Sequence, residues 1–109
     1  MKTIRCVSAV VALLAAGGAY AANLEAGKSK AQEVCQACHG MAGQSAASPD
    51  YPKIGGQYED YLAKALRDYK SGVRKNAIMA GFAGALTKQD IANLAAHYAA
   101  QPRVVSARY

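Results

Sequence analysis

Residues 35–39 read Cys-Gln-Ala-Cys-His and carry the most informative spacing of reactive side chains in the sequence. Two thiols three positions apart at the end of a helix can each form a bond with the same bound group. His39 follows directly and offers an imidazole nitrogen as a metal ligand. The stretch therefore predicts a site at which Cys35, Cys38 and His39 together hold one cofactor or metal.

A C-x-x-C-H sequence is the attachment signal of a c-type haem. Cys35 and Cys38 would each form a thioether with one vinyl group of the porphyrin, and His39 would lie under the iron. The expected cofactor is one covalent haem c with its iron. Three other interpretations stay open: a thioredoxin-like dithiol, which normally lies near a βαβ pattern, a structural disulfide, and a zinc site, for which only His97 remains as a fourth ligand.

The flanking sequence predicts helices. Asn23–Cys38 has no proline and is rich in good helix formers. Residues 58–71 carry apolar side chains at i, i+3, i+4, i+7, i+8 and i+11, and Gly72 ends that helix. A third helix begins at Thr87, where Thr87–Asp90 resembles a capping box. No segment alternates over the length of a strand, so we expect an all-α domain with three main helices.

The segments between these helices are less regular. Residues 40–57 are rich in glycine, serine and proline and predict a structured loop. Residues 73–86 are ambiguous, with a short helix expected around Met79–Ala85. Tyr58, Tyr61 and Tyr69 recur at core spacing on the second helix, so we expect them to pack in the interior.

The composition points to a core that needs a bound group. Hydrophobic residues make up 52% of the 109 positions, but there is no tryptophan and one phenylalanine, Phe82. Alanine is the commonest residue and contributes little apolar area. This composition excludes a multidomain enzyme, and a chain this small normally relies on disulfides, a metal or a cofactor.

The first residues predict export. Lys2 and Arg5 precede an apolar run at Val7–Ala16, and Ala19–Ala21 has small residues at the positions that a signal peptidase reads. We expect a cleaved signal peptide over 1–21, a single domain over 22–109, a periplasmic location and no stable membrane insertion after cleavage. An uncleaved membrane anchor is the alternative, although the run is shorter than the roughly 20 residues of a membrane span.

A haem iron needs a second axial ligand or an open site, and three candidates remain after cleavage. Met41 is too close to His39 to reach the other haem face, so we expect it to pack at the haem edge. His97 lies off the apolar stripe of the last helix, which predicts a solvent-facing or boundary position. Met79 lies in a segment that can cover the far haem face, so it is the favoured ligand. His/Met ligation fills both axial sites and raises the reduction potential.

These motifs together resemble class I monohaem cytochromes c, in particular bacterial cytochrome c553 and the single-haem halves of cytochrome c4. The resemblance runs from about Gly27 to Gln101 and rests on several stretches. They are Gly27, residues 35–40 (CQACHG), 51–57 (YPKIGGQ), 69–74 (YKSGVR), Asn76, Met79, Leu86-Thr87 and 90–96 (DIANLAA). It implies a small cytochrome c fold of three main helices around one covalent haem.

The resemblance also implies roles for single residues. Gly27 would let the first helix cross closely against Tyr98 of the last. The carbonyl of Pro52 would fix the ring of His39, and Met79 would be the distal iron ligand. The tyrosine-rich second helix would wall the haem pocket together with Ile54, Leu86 and Phe82. These relatives often carry paired methionines and a proline around that ligand, whereas residues 77–82 have one methionine and no proline.

The function that follows is a periplasmic one-electron carrier without enzymatic activity, which moves electrons between respiratory or dehydrogenase partners. A haem-bearing electron-entry subunit of a larger dehydrogenase is the alternative, and a C-x-x-C thiol–disulfide oxidoreductase or haem peroxidase is a further one.

The formal net charge is +6, and basic residues cluster at Lys64, Arg67, Lys70, Arg74 and Lys75. They predict either a solvated helix face or a surface that attracts redox proteins with acidic docking sites. Export argues against a nucleic-acid partner.

Overall fold

The computed structural model describes residues 21–44 and 47–103, so the predicted signal peptide lies outside the described residues except for Ala21. The described part contains five helices and no strand, which confirms the all-α prediction. In chain order they are α1 (Leu24–Val34), α2 (Gln36–His39), α3 (Glu59–Ser71), α4 (Ala77–Gly84) and α5 (Lys88–Ala99). No helix within these residues has the length and hydropathy needed to cross a membrane.

The first predicted helix is interrupted at Cys35, which lies between α1 and α2. The side chain of Asn23 caps α1 by accepting a hydrogen bond from the backbone N–H of Ala26 at 3.0 Å. Gly40 ends α2 with a φ of +78°, a conformation that residues with a side chain rarely adopt. The chain therefore turns out of the helix directly after His39.

The helix expected around Met79 begins earlier than predicted, at Ala77. The cause is Asn76, whose Oδ1 accepts a hydrogen bond from the backbone N–H of Met79 at 2.9 Å. The predicted capping box of α5 is present, with Thr87 Oγ1 accepting from the Asp90 N–H at 3.0 Å. Asp90 Oδ2 accepts in return from the Thr87 N–H at 2.9 Å.

α1 crosses α5 at Gly27, as the resemblance implied, but the facing residues differ from those expected. A Cβ at position 27 would lie 2.1 Å from the carbonyl oxygen of Asn93 and 3.0 Å from the Cβ of His97. The atoms nearest to that position thus belong to Asn93 and His97 and not to Tyr98. Tyr98 instead approaches Gly43, where its Cδ1 lies 3.0 Å from the position of a Cβ.

His97 is buried, with 6% of its surface exposed, so the predicted solvent-facing or boundary position is wrong. The reason is that α5 is covered on two sides, by α1 along the Asn93–His97 edge and by α3 along the edge that holds Leu94. Its Nε2–H donates to the carbonyl of Met41 at 3.0 Å. The apolar residues of α5 mark only one of its contact faces, and they do not reveal the face that packs against α1.

The tyrosines of the α3 region are not core residues, contrary to prediction. Tyr58 is 62% exposed and Tyr61 is 49% exposed, and Tyr69 is partly buried. On α3 itself only Leu62 is buried. The apolar stripe exists, and most of it borders the cavity described below, which confirms the prediction that this helix walls the pocket.

Candidate haem site

A cavity of about 420 Å³ lies among α3, α4, α5 and the segment around α2. Pockets of this size accommodate small molecules and cofactors. The residues named from the sequence as site residues all border it: Cys35, Cys38, His39, Pro52 and Met79. Segments that are distant in the chain thus meet at one place.

Cys35 and Cys38 form one part of the wall as free, partly buried thiols. Burial raises the pKa of the Cys35 thiol to about 11, so this thiol stays protonated at neutral pH. Reactive dithiol enzymes need the opposite, a thiol whose pKa is lowered towards neutrality. The pKa of Cys35 therefore does not mark it as the attacking thiol of such an enzyme.

His39 is buried, and its Nδ1 lies 2.8 Å from the carbonyl oxygen of Pro52. A carbonyl can only accept, so Nδ1 carries the proton and Nε2 keeps its lone pair. A hydrogen bond from the other ring nitrogen to a carbonyl in this way orients a histidine ligand towards a metal. The loop that carries Pro52 is itself tied back, since the N–H groups of Ile54 and Gly55 donate to the carbonyl of Gly43 at 2.8 and 2.9 Å.

Met79 enters the cavity wall from α4, one helical turn after the capping residue Asn76. Its neighbours on the same helix, Ile78, Phe82 and Ala83, also border the cavity. A thioether sulfur and an imidazole nitrogen thus come to the same cavity from two different helices. This donor pair is the one that cytochromes use for iron.

The remaining walls are mostly apolar. α3 contributes Tyr61, Leu62, Ala65, Leu66 and Tyr69, and the three wall residues proposed from the sequence, Ile54, Phe82 and Leu86, also lie here. Tyr98 of α5 closes another side, and burial raises the pKa of its phenol above the ordinary value, so that it stays a neutral donor. It donates to the carbonyl of Gly40 at 3.3 Å.

The structure separates the basic residues that the sequence grouped together. The guanidinium of Arg74 borders the cavity, lies 4.7 Å from the centre of the Tyr69 ring and donates to the Tyr61 hydroxyl at 3.4 Å. Lys70 donates to the backbone carbonyls of Gly84 at the end of α4 and of Leu86 after it, whereas Lys64 pairs with Asp68 along α3. Sequence reasoning missed the distinct position of Arg74, although its place just after the helix-ending Gly72 was a usable signal.

Met41 does not border this cavity, so the expectation that it packs at the haem edge is wrong. It lines a second, shallower pocket of about 360 Å³ together with Leu24 and His97. The positive φ of Gly40 turns the chain away after His39, and the hydrogen bond from His97 then holds the Met41 backbone on the α1–α5 side.

Within residues 21–44 and 47–103, no cluster of three or more histidine, cysteine, aspartate or glutamate residues is arranged to bind a metal. The zinc interpretation therefore gains no support.

Comparison with known proteins agrees with this geometry. The family model "Cytochrome c" matches residues 24–99. Cytochrome c4 of Pseudomonas aeruginosa is 45% identical over 96 residues, which make up 87% of this chain and 47% of that protein. The cytochrome subunit of sulfide dehydrogenase from Chlorobaculum tepidum is 30% identical over 103 residues, 84% of this chain and 92% of that subunit.

A solved structure has the same fold. Reduced recombinant cytochrome c4 from Pseudomonas stutzeri superimposes with a TM-score of 0.68 at 38% identity, over 75% of this chain and 47% of that one. The chain thus spans about half the length of the cytochrome c4 relatives that it matches. The family match covers α1 to α5, and the haem-attachment sequence lies at the cavity wall. This chain therefore belongs to the cytochrome c family and carries a covalent haem c.

Proposed function

We propose that this protein is a periplasmic one-electron carrier whose haem iron is bound by His39 and Met79. The observation that carries the proposal is the meeting of an oriented imidazole and a methionine thioether at one apolar cavity whose wall also holds two free thiols. The relatives named as cytochrome c4 support it, and so does the cytochrome subunit of sulfide dehydrogenase. Nothing in this arrangement requires bond chemistry on a substrate.

The residues present fit a haem. Its flat apolar body matches walls formed by leucine, tyrosine, isoleucine and phenylalanine side chains, and the two thiols at the wall match its two attachment points. When bound, the haem supplies an iron that changes between the ferrous and ferric states and so accepts and releases one electron. The protein contributes attachment, orientation and the local electrostatics.

Each site residue has a separate task in this proposal. Cys35 and Cys38 would anchor the group, and the Pro52 carbonyl accepts the hydrogen bond from His39 Nδ1, so that Nε2 would be available to bind the iron. Met79 would supply its thioether sulfur as the second iron ligand, and the iron would then have no open site for oxygen or peroxide. Arg74 adds positive charge at the cavity wall, which favours the electron-rich ferrous state.

Redox proteins with acidic docking surfaces are the partners that we propose. Lys64, Arg67 and Lys75 are exposed, and so are the apolar side chains of Ile78 and Phe82 at the cavity wall. Positive charge attracts an acidic partner during encounter, and exposed apolar contacts suit a short-lived complex. The expected signal peptide over residues 1–21 supports a periplasmic location.

A redox-monitored visible spectrum of the mature haem protein tests this function. The wild type should show a methionine-to-iron charge-transfer band, and Met79→Ala should remove the band and lower the reduction potential, because a softer ligand is lost. Met41→Ala is the matched control, since Met41 borders the other pocket, and it should keep the band. A wild type that lacks the band and binds carbon monoxide readily would instead favour a haem peroxidase or sensor.

A haem-bearing electron-entry subunit of a larger dehydrogenase is the second candidate. It is favoured by the match to nearly the full length of the sulfide dehydrogenase cytochrome subunit. The same haem site would then serve one fixed partner. Size measurement and partner co-purification from the native source separate the two: a free monomeric pool indicates a carrier, and a stoichiometric complex indicates a subunit.

A further inference from the structure

The helix that carries Met79 is the weakest of the larger helices. α4 has eight residues, includes two glycines, and buries only Ala83. Helices this short are not stable alone in water. Residues 77–82 also contain no proline that would stiffen the segment. The position of Met79 must therefore be fixed by contacts at the ends of α4 and with α3.

The N-terminal end of α4 is held by its own cap, Asn76. The C-terminal end differs, because the last turn of α4 contains no basic residue. The last carbonyls of a helix lack partners within it, and they form the negative end of the helix dipole. A cation from elsewhere is the natural partner for this end.

Lys70 of α3 supplies that cation. Its Nζ donates to the carbonyl of Gly84, the last residue of α4, at 2.8 Å and to the carbonyl of Leu86 at 2.7 Å. The second bond is partly buried, and its acceptor lies in the connection between α4 and the start of α5. One side chain therefore links α3 to the end of α4 and to the connection that follows it.

We propose that Lys70 is a positioning residue that holds α4, and with it Met79, in register against α3. The inference rests on the proposed function, in which Met79 is an iron ligand. Because Lys70 joins α3 to the end of α4, α4 can neither slide nor rotate along α3 without breaking these charge-assisted hydrogen bonds. Lys70 thus restricts the position of the ligand segment, as a proline within that segment would otherwise do.

The test uses the haem-loaded protein and the competition between Met79 and added imidazole for the ferric iron. Lys70→Met keeps the length of the side chain but removes the donor. We expect imidazole to bind this variant roughly tenfold more tightly than the wild type, the effect expected when hydrogen bonds to a charged donor are lost at a partly exposed site. Lys70→Arg retains donors and should restore most of the wild-type affinity.

Lys64→Met is the matched control, because it removes the same charge from the same helix. Lys64 pairs with Asp68 within α3 and makes no link to α4 in the described structure. Its imidazole affinity should stay within about twofold of the wild type. Hydrogen exchange gives a second readout that does not depend on iron ligation, and amides of α4 should exchange faster in Lys70→Met than in Lys64→Met.

Equal imidazole affinity and equal exchange in the two methionine variants would overturn the role of Lys70. A wild-type protein without the methionine-to-iron band would overturn the ligation by Met79, and with it the effect on imidazole binding. The two failures are distinguishable, because the first is read by comparing variants and the second in the wild type alone.

Discussion

The two halves of this molecule are held together in different ways. Where α1 crosses α5, backbone meets backbone at Gly27, and seven of the twelve residues of α5 are buried. α3 and α4 bury one residue each, Leu62 and Ala83, while Ile78 and Phe82 are about half exposed. One half is a packed helix pair, and the other half is a wall around a cavity.

This difference explains how a small, alanine-rich chain forms a stable domain. Small residues such as Gly27 and Ala31 let α1 approach α5 closely, so that pair needs little bulk. Most of the apolar residues of α3 and α4 border the cavity, although Leu62 also packs in the core with Leu94 of α5. Since buried apolar area is the main stabilising contribution in folding, the second half depends on the covalent haem for much of its core.

The largest effect is therefore expected when the haem cannot be attached. Replacing both cysteines, Cys35→Ser with Cys38→Ser, should leave a chain without native helicity. Whatever protection against hydrogen exchange persists should lie in α1 and α5 and not in α3 and α4. Far-UV circular dichroism measures the helicity, and hydrogen exchange measures which helices remain protected.

Ala37→Ser is the control for that variant, because it changes an exposed residue of the same motif and should fold with haem bound. A haem-free double variant with native helicity, protected equally in both halves, would contradict the asymmetry.

The next effect should come from the packed half. A valine at position 27 needs room where a Cβ already lies 2.1 Å from the Asn93 carbonyl oxygen. We expect Gly27→Val to lower the free energy of unfolding by about 3 kcal/mol, as for severe overpacking. Denaturant unfolding of the haem protein measures it.

Gly81→Ala is the matched helical glycine, since nothing lies within 4 Å of a Cβ there. It should stabilise the protein by about 0.5 kcal/mol, because alanine restricts the unfolded chain. Similar losses at both positions would mean that the α1–α5 crossing is not specially close.

The smallest effect compares one residue type in the two halves. Asn23 caps α1 and Asn76 caps α4, each through one side-chain hydrogen bond of about 3 Å. Replacing either with alanine should cost about 1 kcal/mol of stability. In Asn76→Ala, however, the methionine-to-iron band should fade on warming well before global unfolding. In Asn23→Ala, the loss of the band and global unfolding should occur at the same temperature. Identical thermal behaviour of the band in the two variants would show that α4 has no local instability of its own.

Much of the fold follows from local sequence signals. The capping box at Thr87–Asp90 and the helix-ending Gly72 act over a few residues, and both appear in the structure as predicted. The start of α4 was missed because residues 73–86 show no clear periodicity, although Asn76 was an available capping signal. The break at Cys35 was missed because nothing in the composition of residues 23–38 interrupts a helix.

Side-chain environments were harder to predict than helices. The exposed position of His97 and the interior position of Tyr61 were both predicted from helix periodicity, and both were wrong. The prediction that the tyrosine-rich helix walls the pocket was confirmed. Periodicity reveals which residues share a face, but it does not reveal what that face meets. For His97 it was a second helix, and for Tyr61 it was a cavity wall.

The sequence by itself determined the chemistry, because thioether attachment and imidazole ligation require Cys35, Cys38 and His39 at one fixed spacing within a single turn. Only the tertiary structure decided how the distant parts meet. It brought the Pro52 carbonyl to His39 Nδ1, Met79 to the same cavity, and Lys70 to the end of α4. The physical reason is that these contacts join residues far apart in the chain, whose approach depends on how helices pack and not on local preference.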